Sequence, residues 1–177
     1  MIKEIYCLLI GNSRWHWAIK KKEEWDFLDT YPDLKRLEGL TNPPLKWAAV
    51  GPVPNTKFLN STNQLLLEDI PLLEIPEWLG IDRALAGWAA LKKAQSTGVS
   101  SKGVLIADAG TILSISRFTV KGEFQGGQLI AGLSLQRSAM EAKTVKLNNP
   151  EDKPLPVHQF PLGTDDAILR GSFQSLL

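Results

Sequence analysis

The sequence predicts an α/β chain in two similarly organised halves, each with a mixed sheet and flanking helices. Three observations carry this. A strand, a glycine turn and a second strand open each half, over residues 5–19 and 103–120. Segments with apolar residues at helical spacing follow in each half. The most linker-like stretch, QSTGVSSK at 95–102, falls between them and divides the chain into 1–100 and 101–177.

The elements follow in order. Residues 5–10 form a compact apolar run that stops at Gly11-Asn12-Ser13. RWHWAI at 14–19 resumes with Trp15, Trp17 and Ile19 on one face by alternation, so the two runs read as a hairpin. A charged turn, KKKEE at 20–24, leads to a third strand through Trp25, Phe27 and Leu28, completing a meander. KWAAV at 46–50 reads as a buried strand ended by GPVP, 58–67 as a helix and 72–75 as a short strand. Ile81, Ala84, Leu85, Trp88 and Leu91 give a helix over 81–93 with one apolar side. Past the linker, 103–107 and 112–120 are strands around Asp108-Ala109-Gly110-Thr111, and Gly126-Gly127 lead towards a helix over 133–145. Residues 148–161 hold four prolines and form a loop. Residues 164–177 open as a helix, with Thr164 at the cap and Asp165 and Asp166 in the first turn.

Composition narrows the function classes. The 177 residues carry 20 Lys+Arg against 19 Asp+Glu, a net charge of +1, and the pI is 7.8. A domain that holds nucleic acid usually has a pI above about 9, so no nucleic-acid partner is expected. No apolar run approaches the roughly 18–20 residues of a membrane span, so no membrane partner is expected. The first residues lack a small-residue cleavage site, and a cytoplasmic location is expected. Cys7 is the one cysteine and lies in a buried strand, where it is expected to be inert. His16 and His158 are far apart in sequence and make no metal cluster. The six tryptophans are expected mostly in the core.

Three segments can carry chemistry. The turns IGNS at 10–13 and DAGT at 108–111 offer backbone N–H groups and a hydroxyl to phosphate oxygens, and an aspartate beside such a turn can hold a cation. Each also reads as a plain β-turn. In Gly80-Ile81-Asp82-Arg83, helix-start N–H groups and the Arg83 fork suit an anionic substrate, with Asp82 taking a proton from its hydroxyl. Asp82 is equally accounted for by the helix dipole. Lastly, GGQLIAGL at 126–133 would let a flat ring lie on glycine backbone, or simply marks a strand–helix junction.

Taken together, IGNS, GPVP at 51–54, GIDR at 80–83 with ALAGWAA after it, DAGT, GGQLIAGL and GTDDAILRG at 163–171 resemble the type III pantothenate kinases. These belong to the actin-like, sugar-kinase-like ATPase superfamily. The resemblance implies duplicated actin-like (ribonuclease H-like) halves and a cytoplasmic homodimer. It implies transfer of the ATP γ-phosphate to pantothenate, the first step of coenzyme A synthesis, with Mg²⁺ and K⁺ or NH₄⁺. Carried over by motif, Asp82 is the catalytic base, and Gly80, Ile81, Asp82, Arg83 and Thr164 contact pantothenate. Gly11, Asn12, Ser13, His16 and Thr111 contact ATP, and Asp108 holds the monovalent cation. Where the family reads DxGNT, this sequence has Leu9 at the aspartate, with no carboxylate nearby to replace it, and His16 stands at the motif's lysine. The family's closing strands and second glycine-rich loop lie beyond residue 177, so the second half is expected to be incomplete, or completed by pairing between chains. Leu9 also fits a degenerate relative that binds pantothenate or nucleotide in an accessory or regulatory role. Arg83 favours a carboxylate substrate over the neutral sugar of other superfamily kinases.

Overall fold

The computed structural model describes residues 4–99 and 102–177. The chain divides into two compact units. One takes the chain up to Ile106 together with Ser116–Gly126, the other Ala107–Ile115 together with Gly127–Leu177.

In the first unit, β1 (Ile5–Ile10), β2 (Trp15–Lys21) and β3 (Glu24–Thr30) form the expected meander, and β4 (Lys46–Ala49) joins β1 in parallel, giving the order β3-β2-β1-β4. Alternation sends Tyr6, Leu8 and Ile10 of β1 and Trp15, Trp17 and Ile19 of β2 into one core with Trp47. Leu37 closes that core from α1 (Leu34–Glu38), a short helix within a stretch that reads only as polar in sequence. Its start is capped by Asp33, which accepts from Arg36 N at 3.0 Å.

Three expectations in this unit need correcting. Residues 58–67 do not form an α-helix but isolated 3₁₀ turns, Ser61–Asn63 and Leu67–Asp69. Asn60 draws the Thr62 N–H to its side chain, and Leu65 N donates to Trp47 O at 2.7 Å, so local and sheet-edge hydrogen bonds outcompete a helical ladder. Residues 72–75 make a single parallel bridge, Leu73 with Glu123, because Glu74 takes a left-handed φ of 54° that breaks extension. Trp25 and Trp78 are exposed rather than core.

Helix α2 (Ile81–Ser96) runs past the expected end at 93. It stops in a Schellman arrangement: Gly98 at φ 72° donates to Gln95 O, and Val99 N donates to Ala94 O. Ser100 and Ser101 of the expected linker lie outside the described residues. Ile81, Ala84 and Leu91 of α2 enter a second core with Ala48, Ile70, Leu72, Leu79 and Phe118, and Leu9 packs against it from the other face of β1.

Strands β5 (Val104–Ala109), β6 (Ile112–Phe118) and β7 (Phe124–Ala131) form a second sheet in that order, and each runs from one unit into the other. β6 ends at Phe118, short of the expected 120, because a turn closes there with Gly122 N on Thr119 O at 2.9 Å. Within the second unit, α3 (Leu133–Lys143) packs on α4 (Thr164–Gln174). Gln136 accepts from the Ser175 hydroxyl at 2.9 Å, and Arg137 pairs with Asp152 at 2.8 Å. The cap of α4 is Gly163 rather than Thr164: Gly163 is extended and its carbonyl accepts from Ala167 N at 2.9 Å, which leaves Thr164 as the first helical residue. No helix among the described residues is long and apolar enough to cross a membrane.

Candidate functional site

In the first unit the structure draws three sequence motifs into one place. The turn after β1 is tight, with Gly11 N on Arg14 O at 2.9 Å. The carbonyl of Ile10 accepts from both Val50 N (2.9 Å) and Gly51 N (3.1 Å), so the GPVP segment is laced to the turn by backbone. A Cβ at Gly51 would stand 2.1 Å from Gly11 O and 3.0 Å from the Asn12 Cα. That approach admits only glycine. Gly80, at the start of α2, lies beside Val50, whose Cγ1 would be 3.6 Å from a Cβ there, and the same Cβ would come within 2.4 Å of Asp82 Oδ1. The glycine therefore leaves the half-buried carboxylate room to fold back over the helix start. Oδ1 accepts from Arg83 N at 2.8 Å, which leaves the second carboxylate oxygen for a proton.

Arg83 is only 8% exposed. Its Nε donates to Ser116 Oγ at 2.9 Å, and Ser116 itself is 2% exposed. The guanidinium carbon lies 5.9 Å from the Trp78 ring and 5.8 Å from that of Phe124, and these two rings meet edge to face. Among the described residues no carboxylate pairs with it. A buried cation is normally neutralised by a carboxylate, so an aromatic cage with one hydroxyl leaves Arg83 poised for an external anion. Trp78, 68% exposed, presents an apolar wall beside it.

The second unit repeats the glycine approach. Gly132, before α3, donates its N–H to Thr111 O at 2.9 Å, and a Cβ there would meet Gly110 O at 2.2 Å. Asp108 is exposed at the end of β5, beside this turn, and Thr164 is exposed at the first position of α4. Gly126 and Gly127 sit within β7, and the space next to Gly126 is open.

A family profile described as type III pantothenate kinase matches residues 68–177. The chain belongs to that family. Type III pantothenate kinases from cyanobacteria align along most of it. That of Thermosynechococcus vestitus is 32% identical over 172 residues, covering 95% of this chain and 65% of the relative. That of Synechococcus elongatus is 30% identical over 161 residues, covering 81% and 63%, and that of Nostoc sp. is 32% identical over 204 residues, covering 96% and 71%. The chain thus spans about two thirds of the length of these family members. The fold is shared with a Campylobacter jejuni protein described as a conserved putative Baf family transcriptional activator. There the TM-score is 0.56 at 19% identity, with 97% of this chain and 75% of that one covered.

Against the family's pattern, the structure adds residues that the motifs do not name. Ser116 and Phe124, from the second sheet, and Trp78, just ahead of GIDR, surround Arg83. Asp29 pairs with His16 at 2.8 Å. Asp29 does not take the place of the family's aspartate: the register aligns Leu9 with His16 and His16 with Asp29, which leaves Asp29 two strands from position 9. The signal was available in the charged turn. Pairing Lys21 with Glu24 around two turn residues fixes 16 opposite 29.

Proposed function

We propose that this chain carries the substrate machinery of an ATP-dependent pantothenate kinase that makes 4′-phosphopantothenate for coenzyme A synthesis. The observation that carries the reading is Arg83: a buried guanidinium without a carboxylate partner, directly after Asp82 at the start of α2. Pantothenate offers the carboxylate that Arg83 lacks and the primary hydroxyl that a base needs. In this reading Gly80, Ile81, Asp82 and Arg83 bind pantothenate together with Thr164. Gly11, Asn12, Ser13, His16 and Thr111 contact the ATP phosphates.

The step is a displacement at the γ-phosphorus. The pantothenate hydroxyl oxygen forms the new P–O bond, the bond to the ADP oxygen breaks, and the hydroxyl proton passes to Asp82. Because phosphoryl transfer is governed by positioning and charge, Asp82 must be held still, which its bond to Arg83 N and the vacant space at Gly80 accomplish. Mg²⁺, where bound with ATP, supplies neutralisation of phosphate charge. Asp108, an exposed carboxylate beside the Gly110 turn, fits the monovalent cation, K⁺ or NH₄⁺. The reading extends to duplicated actin-like halves, 1–100 and 101–177, to a homodimer and to the cytoplasm.

Leu9 supports a second reading, a relative that binds the same ligands without turnover, since the family's carboxylate at that position is replaced by a half-buried apolar side chain packed against the second core. A coupled ADP-release assay with pantothenate, Mg²⁺-ATP and K⁺ or Na⁺ separates the two. Pantothenate- and K⁺-dependent turnover supports the kinase. Calorimetric binding of pantothenate without turnover supports the second reading, and neither activity nor binding refutes both.

A further inference from the structure

We propose that Asp29 is a positioning residue of the nucleotide site, holding the His16 ring so that its Nε2 meets a phosphate oxygen at the Gly11–Ser13 turn. This rests on the kinase reading and extends its site to a residue on the third strand. The first support is register. Leu9 pairs with His16 and His16 with Asp29, one step before the last pair of the hairpin, Ile10 with Trp15. Directly paired residues share a face, so the three form one row beside the turn. The second is the ring's geometry. Asp29 Oδ1 lies 2.8 Å from His16 Nδ1. On the other edge, a Cβ built on Gly11 would stand 3.4 Å from Nε2. A carboxylate only accepts, so Nδ1 is the donor, and the nitrogen left to a ligand is the one beside the turn.

The third support is what else the turn offers. Arg14, its other cation, is stacked on the Tyr31 ring at 3.7 Å. Leu9 places no negative charge at the β1 end of the row, so the one carboxylate of the row sits on the side of the imidazole away from the turn. To donate to an oxyanion Nε2 must also carry a proton. The pair is half-exposed and open to solute, with side chains 46% and 68% accessible. A surface pair of this kind contributes little to stability, so its use lies in orientation.

The test is ATP affinity by titration calorimetry in Mg²⁺ on the whole chain, with thermal midpoints alongside. His16→Gln should weaken ATP binding about tenfold and Asp29→Asn about threefold to tenfold, as expected for losing or misplacing one charge-assisted hydrogen bond. Adding Asp29→Asn to His16→Gln should cost nothing more, because Asp29 acts only through the ring. In a His16→Lys background, where the cation needs no orienting partner, ATP affinity should be indifferent to Asp29→Asn. Midpoints should stay unchanged throughout. Equal losses from Asp29→Asn with and without His16, or none at all in the parent chain, would overturn the proposal while leaving the kinase reading intact. A parent chain that binds no ATP would overturn both.

Discussion

Replacing Arg83 by leucine separates a ligand-binding arginine from a structural one, because the two roles push stability and affinity in different directions. The guanidinium is buried, with a single hydrogen bond to Ser116 and no carboxylate partner among the described residues. Its removal strands the Ser116 hydroxyl, at about 1 kcal/mol. It also relieves the desolvation of a buried charge, which is commonly worth as much or more when an apolar side chain fills the space. The net change in stability should therefore stay within about 1 kcal/mol, a shift in midpoint below about 4 °C for a chain of this size. Pantothenate, by contrast, loses a charge-assisted carboxylate pair in a largely dry site. Hydrogen bonds to charged groups contribute about 1.5–3 kcal/mol each, so a loss of about 2–4 kcal/mol is expected, roughly 30- to 1,000-fold in Kd. Calorimetry with pantothenate and with an analogue bearing an alcohol in place of the carboxylate gives the decisive comparison. The parent chain should prefer the acid strongly, and Arg83→Leu should bind both alike. If the variant keeps its preference for the acid, or if its midpoint collapses while affinity holds, Arg83 serves the fold and the substrate assignment fails.

Other outcomes follow from the same geometry. Asp82→Asn preserves an oxygen to accept from Arg83 N but removes the base, so kcat should fall by about 10²- to 10⁴-fold while pantothenate binding stays within about tenfold; an unchanged kcat in stopped-time assays means that another group takes the proton. Gly51→Ala drives a methyl to 2.1 Å from Gly11 O, where only backbone can yield. Overpacking of this kind costs about 1–3 kcal/mol, to be seen as a lower melting midpoint together with weaker ATP binding, and a silent variant would show that the turn is not held by this contact. Burial pushes the Cys7 thiol above its usual range, so iodoacetamide should label it slowly at neutral pH until the chain is unfolded; rapid labelling of the native chain would contradict the strand's packing.

How much of this was legible in the sequence depended on whether the determinants were local. The meander, β4, α2 and α3 follow from alternation and helical spacing. In β1, β2, β4 and α2 the inner faces are the ones that the pattern marks, whereas the apolar residues of β3 stay exposed and the buried residue of α3 is Arg137. The failures share a cause. At 58–67 the apolar spacing suits a helix, yet Asn60 and the edge of β4 take the backbone hydrogen bonds. Trp78 reads as core because tryptophan usually is, whereas it stands exposed against Phe124, 46 positions further on. In the site, GIDR and the two glycine turns are contiguous motifs and could be read directly. Ser116 and Asp29 are ordinary residues in strands, given meaning only by a partner 33 or 13 positions away. Leu9 shows the same limit from the opposite direction. As a motif position it reads as a missing carboxylate, and in the folded chain it is a half-buried side chain packed on the core that includes Ile81 and Ala84 of α2.

The two glycine approaches bear on how a site of this kind can vary. In each unit a glycine from downstream, Gly51 or Gly132, lies on the backbone of a turn so closely that no Cβ fits, and each donates its N–H to a carbonyl in or beside that turn. The turn's shape is then set by main chain against main chain, and the side chains around it are left with little structural duty. Leucine can replace a carboxylate at position 9, and a histidine held from β3 can stand at position 16, without disturbing the turn that would receive a phosphate. Arg83 is the contrasting case. Its place depends on side chains from a second sheet, Ser116 and Phe124, and on Trp78, so substitutions there should alter which acid is bound before they alter whether nucleotide is bound. In the proposed site, phosphate contacts would draw on the turn and on His16 beside it, whereas recognition of the acceptor would rest on the side-chain cage around Arg83.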